Sequence, residues 1–148
     1  MPVLDAAAMV ALLRDEPGAS EVADLLEAGG CAMSPVNLVE VIHRVSRSLG
    51  IGSGLVMESL LAMVGDGLEV VACDLDIGLL AGVVRADHYD RTDLPVALAD
   101  CVALATAQRR ADRLVASDAH LVRLAGRLEV ATHPIPNSSG RRPAPEAG

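Results

Sequence analysis

Residues 3–13 read VLDAAAMVALL, and residues 114–124 read LVASDAHLVRL. In each, a short apolar run ends at an aspartate, Asp5 or Asp118, and a stretch with helical spacing starts directly after it. A strand that hands over at once to a helix is the building unit of a parallel sheet. The rest of the chain repeats the alternation. Residues 31–33 (CAM) form a short strand before Ser34-Pro35, a hydroxyl cap followed by proline in the first turn, which opens a helix to about residue 49. Residues 69–73 form another strand and residues 128–131 the last one. Further helices are expected over residues 6–14, 20–28, 56–64, 77–88, 95–109 and 119–124, punctuated by Pro17-Gly18, Gly29-Gly30, Gly50, Gly52, Gly54, Gly65 and Gly67. The expected fold class is α/β, a three-layer α/β/α domain around a central parallel sheet of about four or five strands.

The expected domain spans residues 1–133. From Pro134 the composition turns to Pro, Ser, Gly and Arg, and residues 134–148 are expected to be a disordered tail. With 148 residues and 51% hydrophobic residues, the chain suits one domain with one well-filled core. No run reaches the roughly 18 apolar residues of a spanning helix. Asp5 interrupts the start of any signal-peptide pattern, so a cytoplasmic protein without membrane association is expected. Cys31, Cys73 and Cys101 are far apart, without metal or redox spacing, and each reads as a small buried apolar residue.

The net charge of −8 is a poor electrostatic footprint for nucleic acid. All twelve basic residues are Arg, so any phosphate contact must come from a guanidinium fork.

Four acids stand out against this background. Asp5 and Asp118 lie at two strand ends, where open parallel sheets place their ligands, although each also suits a plain helix N-cap. Asp100 is the only charge in residues 94–107, LPVALADCVALATA. Ionised inside such an apolar helix it needs a bound cation or a buried Arg; otherwise it is protonated. Glu40 lies on the helix of residues 34–49, opposite a core stripe of Leu38, Val41, Ile42, Val45 and Leu49, and beside Arg44 and Arg47. That trio is either a solvated i,i+4 face or the edge of an acidic pocket with two arginines that guide a phosphate backbone. Four carboxylates without His or Cys partners suit a hard cation, Mg2+ or Mn2+, able to activate water and neutralise charge on phosphorus.

Taken together, VLDAAAMVALL around Asp5, the EPG at 16–18, SPVNLVEV around Glu40, ALADCVALA around Asp100 and LVASDAHL around Asp118 resemble the PIN domain, specifically the VapC-type ribonuclease toxins. The resemblance spans about residues 3–131. It implies four acids converging at one end of a parallel sheet and metal-dependent endonucleolytic cleavage of RNA. Asp5 and Asp100 are then the innermost metal ligands, with Glu40 and Asp118 completing the pocket, partly through bound water. A homodimer and a small cognate antitoxin are implied as partners. Three family positions that commonly carry a hydroxyl are Ala7, Ala97 and Ala116 here, with Ser117 one place off. Hydrogen bonds of that kind orient metal ligands, so a catalytically weak PIN-fold binding module is a competing expectation, as is another metal-dependent phosphohydrolase. Residues 51–64, with Glu58 as the sole charge and Leu55, Met57, Leu60, Leu61 and Met63 among their apolar residues, are expected to form with the helix of residues 34–49 a groove for an antitoxin helix, or else to pack one face on the sheet and leave the rest as ordinary surface.

Overall fold

The computed structural model describes residues 1–145. Five strands form one parallel sheet in the order β3-β2-β1-β4-β5. Along the chain the elements are β1 (Val3–Leu4), α1 (Ala6–Leu13), α2 (Ala19–Gly29), β2 (Cys31–Met33), α3 (Pro35–Leu49), α4 (Ser53–Val64), β3 (Leu68–Val70), α5 (Leu75–His88), α6 (Leu98–Arg110), β4 (Leu114–Ala116), α7 (Ala119–Arg127) and β5 (Thr132–Pro134).

The strands are short, and their side chains alternate between two cores. Leu4, Cys31, Met33 and Val115 face one core with Met9, Val22, Val41, Val45, Val56 and Leu60 from α1 to α4. Val3, Ala32, Leu114 and Ala116 face the other with Ile77, Ala81, Leu104, Leu121 and Leu124 from α5 to α7. The three-layer α/β/α architecture is thus the expected one, with strands buried on both faces reading as continuous apolar runs.

Several local expectations are corrected. The last strand lies at Thr132–Pro134, because residues 128–130 are spent closing α7. Leu128 N–H donates to the Leu124 carbonyl (3.1 Å), Glu129 takes a positive φ of 56°, and Val130 N–H donates back to the Ala125 carbonyl (2.9 Å). The packed chain continues past residue 133: Ile135 N–H donates to the Ala116 carbonyl (3.0 Å) and its side chain is fully buried. Residues 146–148 of the expected tail lie outside the described residues. Helix α6 starts at Leu98 rather than Pro95; Leu94 and Val96 are buried ahead of it. Leu49 is exposed, and Asn37 takes a buried place on the core side of α3. Cys31 and Cys101 are buried as expected, but Cys73 is exposed. Among the described residues no helix is long and apolar enough to cross a membrane.

Candidate acidic site

In this strand order the chain winds outward from β1 through β2 to β3, then returns to place β4 on the other side of β1. The two halves part at the carboxyl ends of β1 and β4, the crevice where open α/β sheets bind ligands. Asp5 follows β1 directly. Its N–H donates to the Val115 carbonyl (3.1 Å), and its Oδ1 accepts the Ala8 N–H (2.7 Å) as N-cap of α1. Asp118 lies two residues beyond β4, and its Oδ1 accepts the Leu121 N–H (2.9 Å) as N-cap of α7. Asp100 lies in the first turn of α6, where its Oδ2 accepts the Ala97 N–H (2.8 Å). Capping and site membership therefore coincide: each carboxylate spends one oxygen on a helix terminus, whose dipole favours negative charge there.

Glu40 comes from the middle of α3. Its Oε1 lies 3.7 Å from the Arg44 guanidinium, and its Oε2 is buried with no hydrogen-bond partner. A buried carboxylate oxygen without a donor is costly, and a cation is one remedy. All four acids line one cleft of about 480 Å³, together with Arg14, Glu16, Arg44, Ser117 and His120. Arg47, in the last turn of α3, is exposed and is not among the lining residues.

Burial dominates the electrostatics. It pushes Asp5 up to about 8, with the charges of Asp100 and Asp118 adding and the Ala8 N–H and Arg44 opposing. Asp100 is pushed up to about 6, again by burial first, with Glu40 and Asp118 adding. The four acids thus feel one another across the cleft. Yet among the described residues no three His, Cys, Asp or Glu side chains form a ready-made metal centre. Each Asp is pinned to its own helix terminus, and like charges favour separation. The donor chemistry fits Mg2+ or Mn2+, since it is all oxygen and includes one orphaned buried carboxylate oxygen. Holding such an ion requires the carboxylates to close on it.

Some cleft and support residues were not singled out from sequence. Asn37 is fully buried one turn ahead of Glu40. Its Nδ2 donates to the Ala99 carbonyl (3.1 Å), tying α3 to the turn that carries Asp100, while its Oδ1 is buried without a partner. The signal was present: Asn37 is the polar residue in an otherwise apolar i, i+4 stripe with Val41 and Val45. Pro136, Asn137 and Ser138 also line the cleft, and their composition gave no such signal.

The apolar stretch before β3 divides. Val56 and Leu60 are core, whereas Leu55, Met57 and Leu61 are exposed on the outer face of α4. A second apolar stripe, Leu75, Leu79 and Val83, is exposed along α5.

Solved structures share this fold. The DNA-bound VapBC complex of Salmonella typhimurium superposes with a TM-score of 0.66 at 20% identity, covering 90% of this chain and 98% of that one. FitAcB of Neisseria gonorrhoeae gives 0.61 at 21%, covering 89% and 96%. A sarcin–ricin-loop-cleaving VapC toxin of Mycobacterium tuberculosis gives 0.57 at 14%, covering 75% and 85%. Among curated proteins no sequence relative is found. The PIN domain family model matches residues 3–127, most of the chain and all four acids, and the chain therefore belongs to the PIN domain family.

Proposed function

We propose that this PIN domain is the toxin component of a toxin–antitoxin pair, with the acidic cleft as the place where a divalent cation and an RNA phosphodiester meet. The observation that carries the reading is the convergence of Asp5, Glu40, Asp100 and Asp118, from four separate elements, on one cleft at the switch point of the sheet. Asp5 and Asp100 would hold the ion, with Glu40 and Asp118 completing its surroundings. Bound there, Mg2+ or Mn2+ supplies a water of lowered pKa and neutralises charge on phosphorus. Arg44 and Arg14, on the cleft wall, supply guanidinium forks for the flanking phosphates. Arg44 also screens the carboxylates, since its charge opposes the upward shifts of both Asp5 and Asp100.

The geometry favours a weakly catalytic form of this module over an efficient nuclease. No three acids stand ready-made among the described residues. The hydroxyls that would orient them are replaced by Ala7, Ala97 and Ala116, and loss of one such contact costs roughly ten- to a hundred-fold. Binding of RNA then exceeds cutting. The related structures include toxin–antitoxin complexes, which supports an antitoxin as partner. The exposed face of α4, with Leu55, Met57 and Leu61, suits an amphipathic partner helix. A second copy of the chain is the other proposed partner, and α5 offers it a separate apolar stripe.

The deciding experiment is a comparison of RNA binding and RNA cleavage by the purified chain across Mg2+ and Mn2+ concentrations, with a small phosphodiester in parallel. Cation-dependent RNA binding with slow cleavage supports the proposal. Hydrolysis of the small phosphodiester without any action on RNA would assign the cleft to another phosphohydrolase.

A further inference from the structure

The cleft has a wall that the family match does not cover. The PIN model ends at residue 127, yet Pro136, Asn137 and Ser138 line the same cleft as the four acids. This segment is built in, not draped. Ile135 is fully buried in the core formed with α1 to α4 and extends the β4 pairing through Ala116. Its side chain and the Pro136 carbonyl press so closely on Gly18 that an added Cβ there would sit 3.0 Å from each. Beyond it, Asn137 organises a tight turn. Its Oδ1 accepts the N–H of Ser139 (3.0 Å), the Ser139 hydroxyl (2.7 Å) and the N–H of Arg141 (3.0 Å), and its own N–H donates to the Arg141 carbonyl (2.8 Å). Arg142 closes the far end by a two-pronged contact with the Glu21 carboxylate on α2, to which the His133 ring also bonds (3.1 Å), and by a bond to the Pro134 carbonyl.

The wall adds uncharged polar groups to a strongly charged cleft. With its Oδ1 spent on the turn, Asn137 keeps its Nδ2 as a donor, and Ser138 keeps its hydroxyl. Donors without negative charge are what a polyanion needs beside carboxylates, where another acid would repel it.

We propose that residues 135–142 are a substrate-contacting wall of the cleft, with Asn137 and Ser138 as positioning residues for the RNA backbone and the Glu21–Arg142 pair as the clasp that holds them there. This rests on the RNA reading of the cleft.

The test uses the full chain, a single-stranded RNA oligonucleotide and Mn2+. The double substitution Asn137→Ala, Ser138→Ala weakens RNA binding about tenfold, the scale of hydrogen bonds to a charged group, while the Mn2+-induced rise in Tm is retained. Trypsin provides a readout on the unsubstituted protein: RNA slows cleavage after Arg141, and Glu21→Gln speeds that cleavage in the absence of RNA. If the double variant disturbs folding, the trypsin footprint on the unsubstituted chain still decides. The proposal is overturned when the unsubstituted protein binds RNA but the double variant binds equally well, or RNA leaves cleavage after Arg141 unchanged. A chain that binds no RNA with any cation removes the RNA reading itself, and the wall's role with it.

Discussion

Asp5 carries the largest electrostatic load in the molecule. Buried at the end of β1, it holds its proton up to about pH 8, whereas an unfolded aspartate releases it near 3.8. Between these values the folded state binds more protons than the unfolded one, so stability must fall as pH rises. Below 3.8 both states are protonated and the slope vanishes. Asp100 adds a smaller window, from 3.8 to about 6. Asp5→Asn keeps an oxygen for the Ala8 N–H but removes the charge. The cation-free Asn variant should therefore be more stable than the parent at pH 8 and equal to it near pH 4. The gain at pH 8 reaches up to a few kcal/mol, since each tenfold change in proton affinity is worth about 1.4 kcal/mol. Urea unfolding at the two pH values measures this; equal stability of parent and variant at pH 8 would mean that Asp5 is ionised at no cost. Asn37 has the opposite character, since it is neutral and structural. Asn37→Ala removes the bond to the Ala99 carbonyl and should cost about 0.5–1.5 kcal/mol, while also weakening Mn2+ binding through Asp100; Mn2+ titration by calorimetry separates the two effects. The acids were legible in the sequence because a charge inside an apolar run or at a strand end has few explanations. Asn37 was less so, because an amide on a helix reads as surface until its neighbours are seen to be buried.

Among the elements, α3 links the proposed RNA contact to the scaffold. Arg44 faces the cleft and Arg47 does not, although helical spacing had put both on the side of Glu40. Arg44→Ala should weaken RNA binding and lower the salt dependence by about one phosphate contact, ~0.7 in the log–log slope for a single strand. Arg47→Ala should do neither. Anisotropy across a salt series distinguishes them, and equal effects would place the RNA path along the whole outer face of α3. Helix α4 shows a similar division. Leu60 is core and Leu61 is 61% exposed, so Leu61→Asp should leave Tm nearly unchanged yet weaken antitoxin capture by about a hundredfold if that side chain anchors the contact. Undiminished co-purification with the antitoxin would put the groove elsewhere. Strand and helix identity was mostly legible from periodicity. The misplacement of β5 has a physical cause: residues 128–131, LEVA, have strand composition, but 128–130 complete the end of α7, and tertiary hydrogen bonds outweigh composition in so short a segment. The C-terminal wall was illegible for a related reason. Its polar, Pro- and Gly-containing sequence is anchored by a single buried residue, Ile135, and by a clasp to α2 more than a hundred residues away.

At the scale of the whole molecule, a chain of net charge −8 is proposed to handle a polyanion. The α/β/α layers follow directly from alternating apolar runs and helical stripes, and the strand order then places Asp5 and Asp118 just beyond the ends of neighbouring strands. What the sequence could not convey is the spacing of the acids, because it depends on how each helix terminus competes for its carboxylate. A bound cation would reverse part of the charge deficit where it matters. At a hundredfold excess over its Kd it stabilises the native state by about 2.7 kcal/mol, several degrees in Tm for a chain of this size. The most direct test is RNA cleavage under single-turnover conditions, by the full chain and by Asp100→Asn, with Mg2+ or Mn2+ titrated in and then chelated. Slow cleavage that appears with the cation, stops on chelation and is absent from Asp100→Asn is the result expected of a cation-dependent acidic cleft. Cleavage that survives chelation, or that Asp100→Asn performs as well as the parent, would contradict it.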